Sequence, residues 1–307
     1  MTNNLKEHLV ELLRRASTQL PEDIVHALQQ GHARENPGTP ASGAIATILE
    51  NIQLSRQNST PLCQDTGTNI WHVYHPRNMC KTALEATIRS ATEEACRRSY
   101  LRANAVDPVS GLNSGNNLGL RFPVISFYEW RSRAIRASVM LKGGGCENVS
   151  CQYALPHEAL HAGRDLDGVR KVVLEGVFNA QGRGCAPGII GVGIGGDRIT
   201  GMIEAKHQLW RELGDENANP LLNQLENRLF HECNQLGIGP MGYGGKTTVL
   251  GVKIGAIHRV PASYFVSISY MCWASRRASV TFAPSGKVTF HKRVPRATSC
   301  NTPNCKG

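Results

Sequence analysis

The chain has 307 residues with a formal charge of +10 at pH 7, 41% apolar and 19% charged residues. That balance excludes intrinsic disorder, and a chain this long buries too large a core to need a disulfide-stapled scaffold. No run of ~18 apolar residues suggests a membrane span, and Glu7 and Glu11 interrupt the first apolar residues where a secretory signal would have none, so the expected location is cytoplasmic.

Leu5, Leu9, Leu12 and Leu13 recur at helical spacing and predict a first helix. A second opens near Pro21, with Glu22 and Asp23 in its first turn, and runs to Gly31. Residues 32–41 read as a loop. A third helix follows, with Ser42 as a candidate N-cap and Ile45, Ile48, Leu49 and Ile52 on one face. The stretch 61–69 (PLCQDTGTN) breaks the pattern, and another helix spans about 82–101. Residues 123–129 and 134–141 are strand-like, and the glycine run 142–148 (KGGGCEN) follows. Helical patterns then cover 167–180 and 219–236, the latter opening at Asn219-Pro220 and stopping at Gly237. Between them lies an apolar, glycine-rich strand and turn at 188–196, with a helix to about 213. Strands are expected at 247–254, 264–271, 278–283 and 287–291. The pattern predicts an α/β or α+β chain: a helical N-terminal region, then a mixed sheet with Gly-rich strand–helix loops. One domain is expected over 1–293, with a loose tail at 294–307.

The charge is uneven. From Cys233 onward there are ten Lys/Arg and no Asp or Glu, so the whole excess lies in the last quarter. These residues form no dense run and few aromatics interleave them, which favours a small polyanion or an acidic partner chain over nucleic acid. Two stretches match GxGxxG, at Gly191–Gly196 and Gly237–Gly242. The first lacks a following strand that carries a ribose acid, and the second follows a helix, so neither makes a convincing dinucleotide site.

Ten cysteines are present and no CxxC pair, so a zinc ribbon or thioredoxin motif is unsupported. Cys96 and Cys233 sit in helical patterns and read as core residues. Cys63, within Cys63-Gln64-Asp65-Thr66-Gly67-Thr68, has an amide, a carboxyl and hydroxyls beside it in a loop bracketed by Pro61 and Gly67. Cys185-Ala186-Pro187-Gly188 and Met271-Cys272-Trp273 supply two more cysteines at turns or strand ends. Three thiolates can hold three irons of a cubane and leave the fourth iron open as a Lewis acid.

Five stretches in order, CQDTGT, KGGGCEN, CAPGIIGVGIGG, GIGPMGYGGKTT and CWASRR, resemble the iron–sulfur class I fumarase and L-tartrate dehydratase family, as its separate α subunit, up to about residue 293. The resemblance implies a [4Fe-4S] cluster on Cys63, Cys185 and Cys272, and a β subunit on a second chain in an α2β2 assembly. It implies that Gln64 faces the substrate and that Asp65 is the acid/base at the substrate hydroxyl. Arg102, in Leu101-Arg102-Ala103-Asn104, would bind a substrate carboxylate, Gly145 would offer its backbone N–H, and His258 would contact substrate. Taken alone, Arg102 also reads as a helix-end surface charge and His258 as a core histidine. Cys146 stands where many relatives carry Ser; a fourth thiolate there would close the cluster. The implied reaction is the reversible hydration of fumarate to malate, because GGKTT and CEN look more like the fumarase members. Dehydration of L-tartrate to oxaloacetate is the alternative within the family. A non-catalytic iron–sulfur or nucleic-acid-binding protein is the alternative outside it.

Overall fold

In the computed structural model, residues 2–293 are described, so the tail expected at 294–307 lies outside the described residues. The chain begins with α1 (Thr2–Thr18), whose Leu9, Leu12, Leu13 and Ala16 are fully buried, while Glu11 pairs with Arg14 and Arg15. Helix α2 (Glu22–Arg34) follows and runs three residues beyond Gly31. Helix α3 (Pro40–Asn58) starts earlier than Ser42 suggests. Thr39 is its N-cap, its Oγ1 accepting the Ser42 N–H at 3.3 Å. Pro40 takes the first helical position, where its missing N–H costs nothing.

The remaining elements form two mixed sheets. The strands of the first are β1 (Thr68–Pro76), β2 (Val124–Trp130), β3 (Ile135–Lys142), β8 (Arg276–Phe282) and β9 (Val288–His291). Their order is β2-β1-β3-β8-β9. β1 runs parallel to β2 and antiparallel to β3, with Thr68 opposite Lys142. β3 runs antiparallel to β8, with Leu141 opposite Arg276. Helices α1 and α4 (Lys81–Arg97) cover one face, where Trp71, Val73, Val139 and Leu141 meet Leu9, Leu13 and Ile88. On the other face His72 stacks on Trp210 at 4.6 Å between ring centroids, with His207 and Tyr128 edge-on. Burial, and the nearby His207, push the His72 imidazole down to about 3.

The second sheet has the order β4-β7-β5-β6, built from β4 (Cys151–Ala154), β5 (Gly188–Gly195), β6 (Val249–Ile257) and β7 (Phe265–Met271). α7 (Arg198–Gln208) packs on β5. The glycines explain the closeness: a Cβ on Gly191 would lie 2.2 Å from Ala205 O, and one on Gly193 2.3 Å from Gly201 O. The first GxGxxG stretch is therefore a packing face. The N-terminus of α7 is capped by the chain's own Asp197, whose side chain accepts from the Ile199 and Thr200 N–H groups. The edge strand β6 is sealed by α8 (Pro220–Gln235). Asn234 Oδ1 accepts the Thr248 and Val249 N–H groups, and Glu226 Oε1 accepts that of Ile254. Two more helices, α5 (Gly144–Asn148) and α6 (Leu166–Ala180), complete the chain order used below.

The cationic last quarter is not one surface. Lys253, 4% exposed, pairs with Asp215 and Glu226, and Arg277 pairs with Asp23, so acids from earlier in the chain absorb part of the excess. Among the described residues no helix is long and apolar enough to cross a membrane.

Candidate functional site

After β7 the chain leaves the second sheet, passes through Cys272–Ser275 and enters the first sheet as β8. That crossing creates a seam, and the sequence motifs gather there.

The Cys63 loop reaches the seam from the first sheet. It delivers Thr68 beside Lys142, so the loop lies against the point where β3 gives way to α5. Asp65 joins the two segments: Oδ1 accepts the Gly67 N–H at 2.9 Å and Oδ2 accepts the Gly144 N–H at 2.6 Å. Gly67 has φ +79°, and a Cβ there would lie 2.6 Å from the carbonyl carbon and oxygen of Lys142. Only glycine combines that backbone conformation with that approach. The buried Thr66 hydroxyl accepts the Arg102 N–H at 3.1 Å. With its amide oxygen turned inward, Asn104 accepts from Thr66 Oγ1 at 2.8 Å and from the Gly67 N–H at 3.1 Å. The fully buried Asn117 donates to Arg102 O at 2.6 Å and accepts from the Asn104 N–H at 2.6 Å. The Arg102 backbone is thus fixed on both sides against the Cys63 loop, while its side chain is exposed.

The second sheet brings the other cysteines. Cys185 precedes β5 in a left-handed conformation (φ 54°), and Cys272 follows β7 directly. β5 and β7 are antiparallel, with Ile189 opposite Met271, so both cysteines emerge at the same end of the sheet. The Trp273 N–H donates to Cys185 O at 3.3 Å. Burial pushes the Cys185 thiol up, with Cys63, Cys146 and Asp65 adding to the shift, which places these four groups in one electrostatic neighbourhood. Cys146 is 3% exposed, donates to Gly143 O at 3.1 Å and shares a hydrogen bond with Cys272. That bond holds Cys146 below the usual thiol range, with Lys142 and Arg276 contributing, and pushes Cys272 above it. All eight cysteines among the described residues are free thiols.

Gln64 is exposed in the same loop. Gly145 is exposed on α5 and, with Asn148, Ser150, Asn179 and Arg183, lines a cavity of about 530 Å³ between α5 and α6. His258 is not brought to the seam. β6 runs parallel to β5, with Val249 opposite Gly188 and Ile257 opposite Gly195. His258 follows the far end of β6, while Cys185 precedes the near end of β5, about 23 Å away along the strands. His258, expected to contact substrate, thus lies at the opposite end of the second sheet from Cys185 and Cys272 in this chain.

Among the described residues, no three His, Cys, Asp or Glu side chains close around a single metal ion. The donor chemistry at the seam fits an iron–sulfur cluster better than a hard cation. It is a set of thiols, and the one carboxylate, Asp65, has both oxygens engaged by backbone amides. Two buried donors at the seam, Tyr270 Oη and Arg276 Nε, have no hydrogen-bond partner among the described residues. Sequence reasoning did not single out Thr66, Asn117, Tyr270 or Arg276. Arg276 was legible only as part of CWASRR, and Tyr270 only through its two-residue spacing from Cys272.

Residues 6–281 match the family described as Fumarate hydratase (Fumerase). The chain is 47% identical over 284 residues to a candidate class I fumarate hydratase of Geobacillus stearothermophilus, covering 92% of this chain and 55% of that protein. It thus spans about half the length of that relative. It is 34% identical over 279 residues to a candidate L(+)-tartrate dehydratase subunit alpha of Methanocaldococcus jannaschii, covering 89% of this chain and 96% of that protein. It is 31% identical over 287 residues to the L(+)-tartrate dehydratase subunit alpha of Escherichia coli, covering 91% and 90%.

Proposed function

Since the chain belongs to the fumarate hydratase (Fumerase) family, we propose that it is the α chain of an iron–sulfur hydro-lyase that reversibly hydrates fumarate to malate. The observation that carries this reading is the convergence of Cys63, Cys185 and Cys272 with Asp65 at the seam between the sheets. These three cysteines would hold a [4Fe-4S] cluster. When bound, the cluster supplies a Lewis acid at the substrate hydroxyl and one carboxylate.

The chain's own groups do the rest. Asp65, fixed by two backbone amides, moves the proton at the substrate hydroxyl. Arg102, on a backbone pinned by Thr66 and Asn117, pairs with the second carboxylate. Gln64 and the Gly145 N–H orient the substrate. Cys146, already bonded to Gly143 O and Cys272, stays outside the ligand set.

The remaining parts come from a second chain. The printed subunit names of two relatives support a separate β subunit, in an α2β2 assembly. That chain completes the base for the C3 proton. The free thiols suit a reducing cytoplasm. L-tartrate is the second reading. Two relatives carry the tartrate dehydratase subunit alpha name, but identity to the fumarate hydratase relative is higher. Co-purification with the β-type chain and anaerobic assay on malate, fumarate and L-tartrate tests the proposal. Turnover of fumarate and malate is expected. Turnover of L-tartrate alone would move the chain to the second reading, and no hydration or dehydration at all would refute both.

A further inference from the structure

A buried charge is stable only beside an opposite one. Among the described residues, five Lys/Arg are at most 6% exposed: Arg136, Lys142, Lys253, Arg276 and Arg277. Lys142 pairs with Glu147, Lys253 with Asp215 and Glu226, and Arg277 with Asp23. Arg136 lies over the rings of Tyr74 and Trp130, at 4.5 and 4.9 Å from their centroids. Arg276 differs. It is 1% exposed and forms no ion pair with a carboxylate among the described residues. Its one hydrogen bond runs from Nη1 to the Asp65 carbonyl at 2.8 Å, and Nε has no partner. It follows Cys272 by four residues, and its Nη1 bond ends on the Cys63 loop two residues after Cys63.

Tyr270 gives a second, independent sign. It lies on β7, two residues before Cys272. It is 2% exposed, and its hydroxyl has no partner. Its ring presses on the backbone that carries Cys185. A Cβ on Gly184 would lie 2.5 Å from the ring, and one on Gly188 2.3 Å. Two glycines flanking Cys185 thus admit a buried ring whose hydroxyl meets no protein acceptor. A buried cation with an unpartnered Nε and a buried hydroxyl with no partner among the described residues thus flank the Cys272 segment from both sides.

We propose that Arg276 is the counter-cation of the anionic [4Fe-4S] cluster and Tyr270 Oη a second donor to it, so that together they set its reduction potential and retention. This rests on the reading that Cys63, Cys185 and Cys272 hold the cluster. Thiolate and sulfide ligands make such a cluster negative, and reduction adds one more charge. A buried cation therefore stabilises the reduced form more than the oxidised form and raises the potential. Both side chains are positioning residues: they act on the cluster and not on the substrate.

The test uses the complex with its partner chain, loaded anaerobically with iron and sulfide, as wild type, Arg276→Gln, Arg276→Lys and Tyr270→Phe. The readouts are the midpoint potential, followed by electron paramagnetic resonance, and the rate of cluster loss to an iron chelator. Arg276→Gln is expected to shift the potential to more negative values and to lose its cluster at least tenfold faster. Arg276→Lys keeps the charge and should stay close to wild type, whereas Arg276→Gln keeps an N–H donor for the Asp65 carbonyl and removes the charge. Tyr270→Phe should give a smaller negative shift. If Arg276→Gln does not fold, Tyr270→Phe carries the test, since it removes a single oxygen. Wild-type potential and retention in whichever of Arg276→Gln and Tyr270→Phe fold would overturn this inference and leave the cluster assignment standing. A wild-type complex that takes up no cluster would overturn the assignment and the inference together.

Discussion

Replacing Asp65 by Asn separates two roles that coincide in one side chain. Its carboxylate accepts two backbone N–H groups, Gly67 at 2.9 Å and Gly144 at 2.6 Å, and so ties the Cys63 loop to the start of α5. An amide has one acceptor oxygen, so Asp65→Asn must present an NH2 group to one of those donors. Asn therefore does not preserve the hydrogen bonding here, although it usually does in a turn. A hydrogen bond to a charged acceptor is worth about 1.5–3 kcal/mol, and the partial exposure of Asp65 puts the loss at the low end of that range. In a chain of this size that lowers the unfolding midpoint by about 2–3 °C. If Asp65 also moves the proton at the substrate hydroxyl, kcat falls a further ~10²–10⁴-fold while KM changes little. Thermal unfolding, iron and sulfide content and anaerobic kcat should be read on one preparation, because cluster loss imitates a catalytic defect. An Asp65→Asn complex with intact cluster and near-normal kcat would remove the acid/base role. An unchanged midpoint would refute the two-amide tie.

Gly67→Ala forces a Cβ to 2.6 Å from the Lys142 carbonyl at φ +79°; it should cost more than about 2 kcal/mol in urea unfolding and abolish iron uptake, and a variant with wild-type iron content would refute this packing. Arg102→Ala removes a charge-assisted contact and should raise KM for the dicarboxylate about tenfold to a hundredfold, with a smaller change in kcat; an unchanged KM would return Arg102 to a surface charge. His72 is held neutral in the folded chain, with a value of about 3 against 6.5 for the free side chain. Its contribution to stability is complete above pH 6.5 and is lost as pH falls from 6.5 toward 3, by at most about 2 kcal/mol at pH 5. Denaturant unfolding of the chain without its cluster, at pH 7 and pH 5, should show that drop, and His72→Phe should flatten it.

Local signals made some elements legible. Asn219-Pro220 and Gly237 bounded α8 because cap chemistry is local, and α6 followed its apolar spacing. The start of α3 was read at Ser42, but Ser42 is the donor in the cap whose acceptor is Thr39. β1 was missed. Its alternation over Thr68–Pro76 begins inside a loop already marked as irregular, and His72, Tyr74 and His75 blur the polar face. α5 is five residues long in a glycine run, and its first amide is held by Asp65 from 79 residues away, which no local pattern contains.

The site divided the same way. Each cysteine could be picked out by its unusual neighbours, but their convergence depends on the crossing between two sheets and on the antiparallel pairing of β5 with β7. The place of His258 was not legible either, because the parallel pairing of β5 with β6 that sends it to the opposite end is a long-range contact. Arg276 looked like one more basic residue in a cationic quarter, and only the fold makes it a buried cation without a carboxylate.

Iron and acid-labile sulfide measured on the anaerobically loaded complex, for wild type and for Cys63→Ser, Cys185→Ser, Cys272→Ser and Cys146→Ser, test the central assignment most directly. The content of a [4Fe-4S] cluster is expected in wild type and in Cys146→Ser, with loss in each of the other three. Wild-type content in any of those three, or loss in Cys146→Ser with the fold intact, would contradict the assignment of Cys63, Cys185 and Cys272 as the ligands.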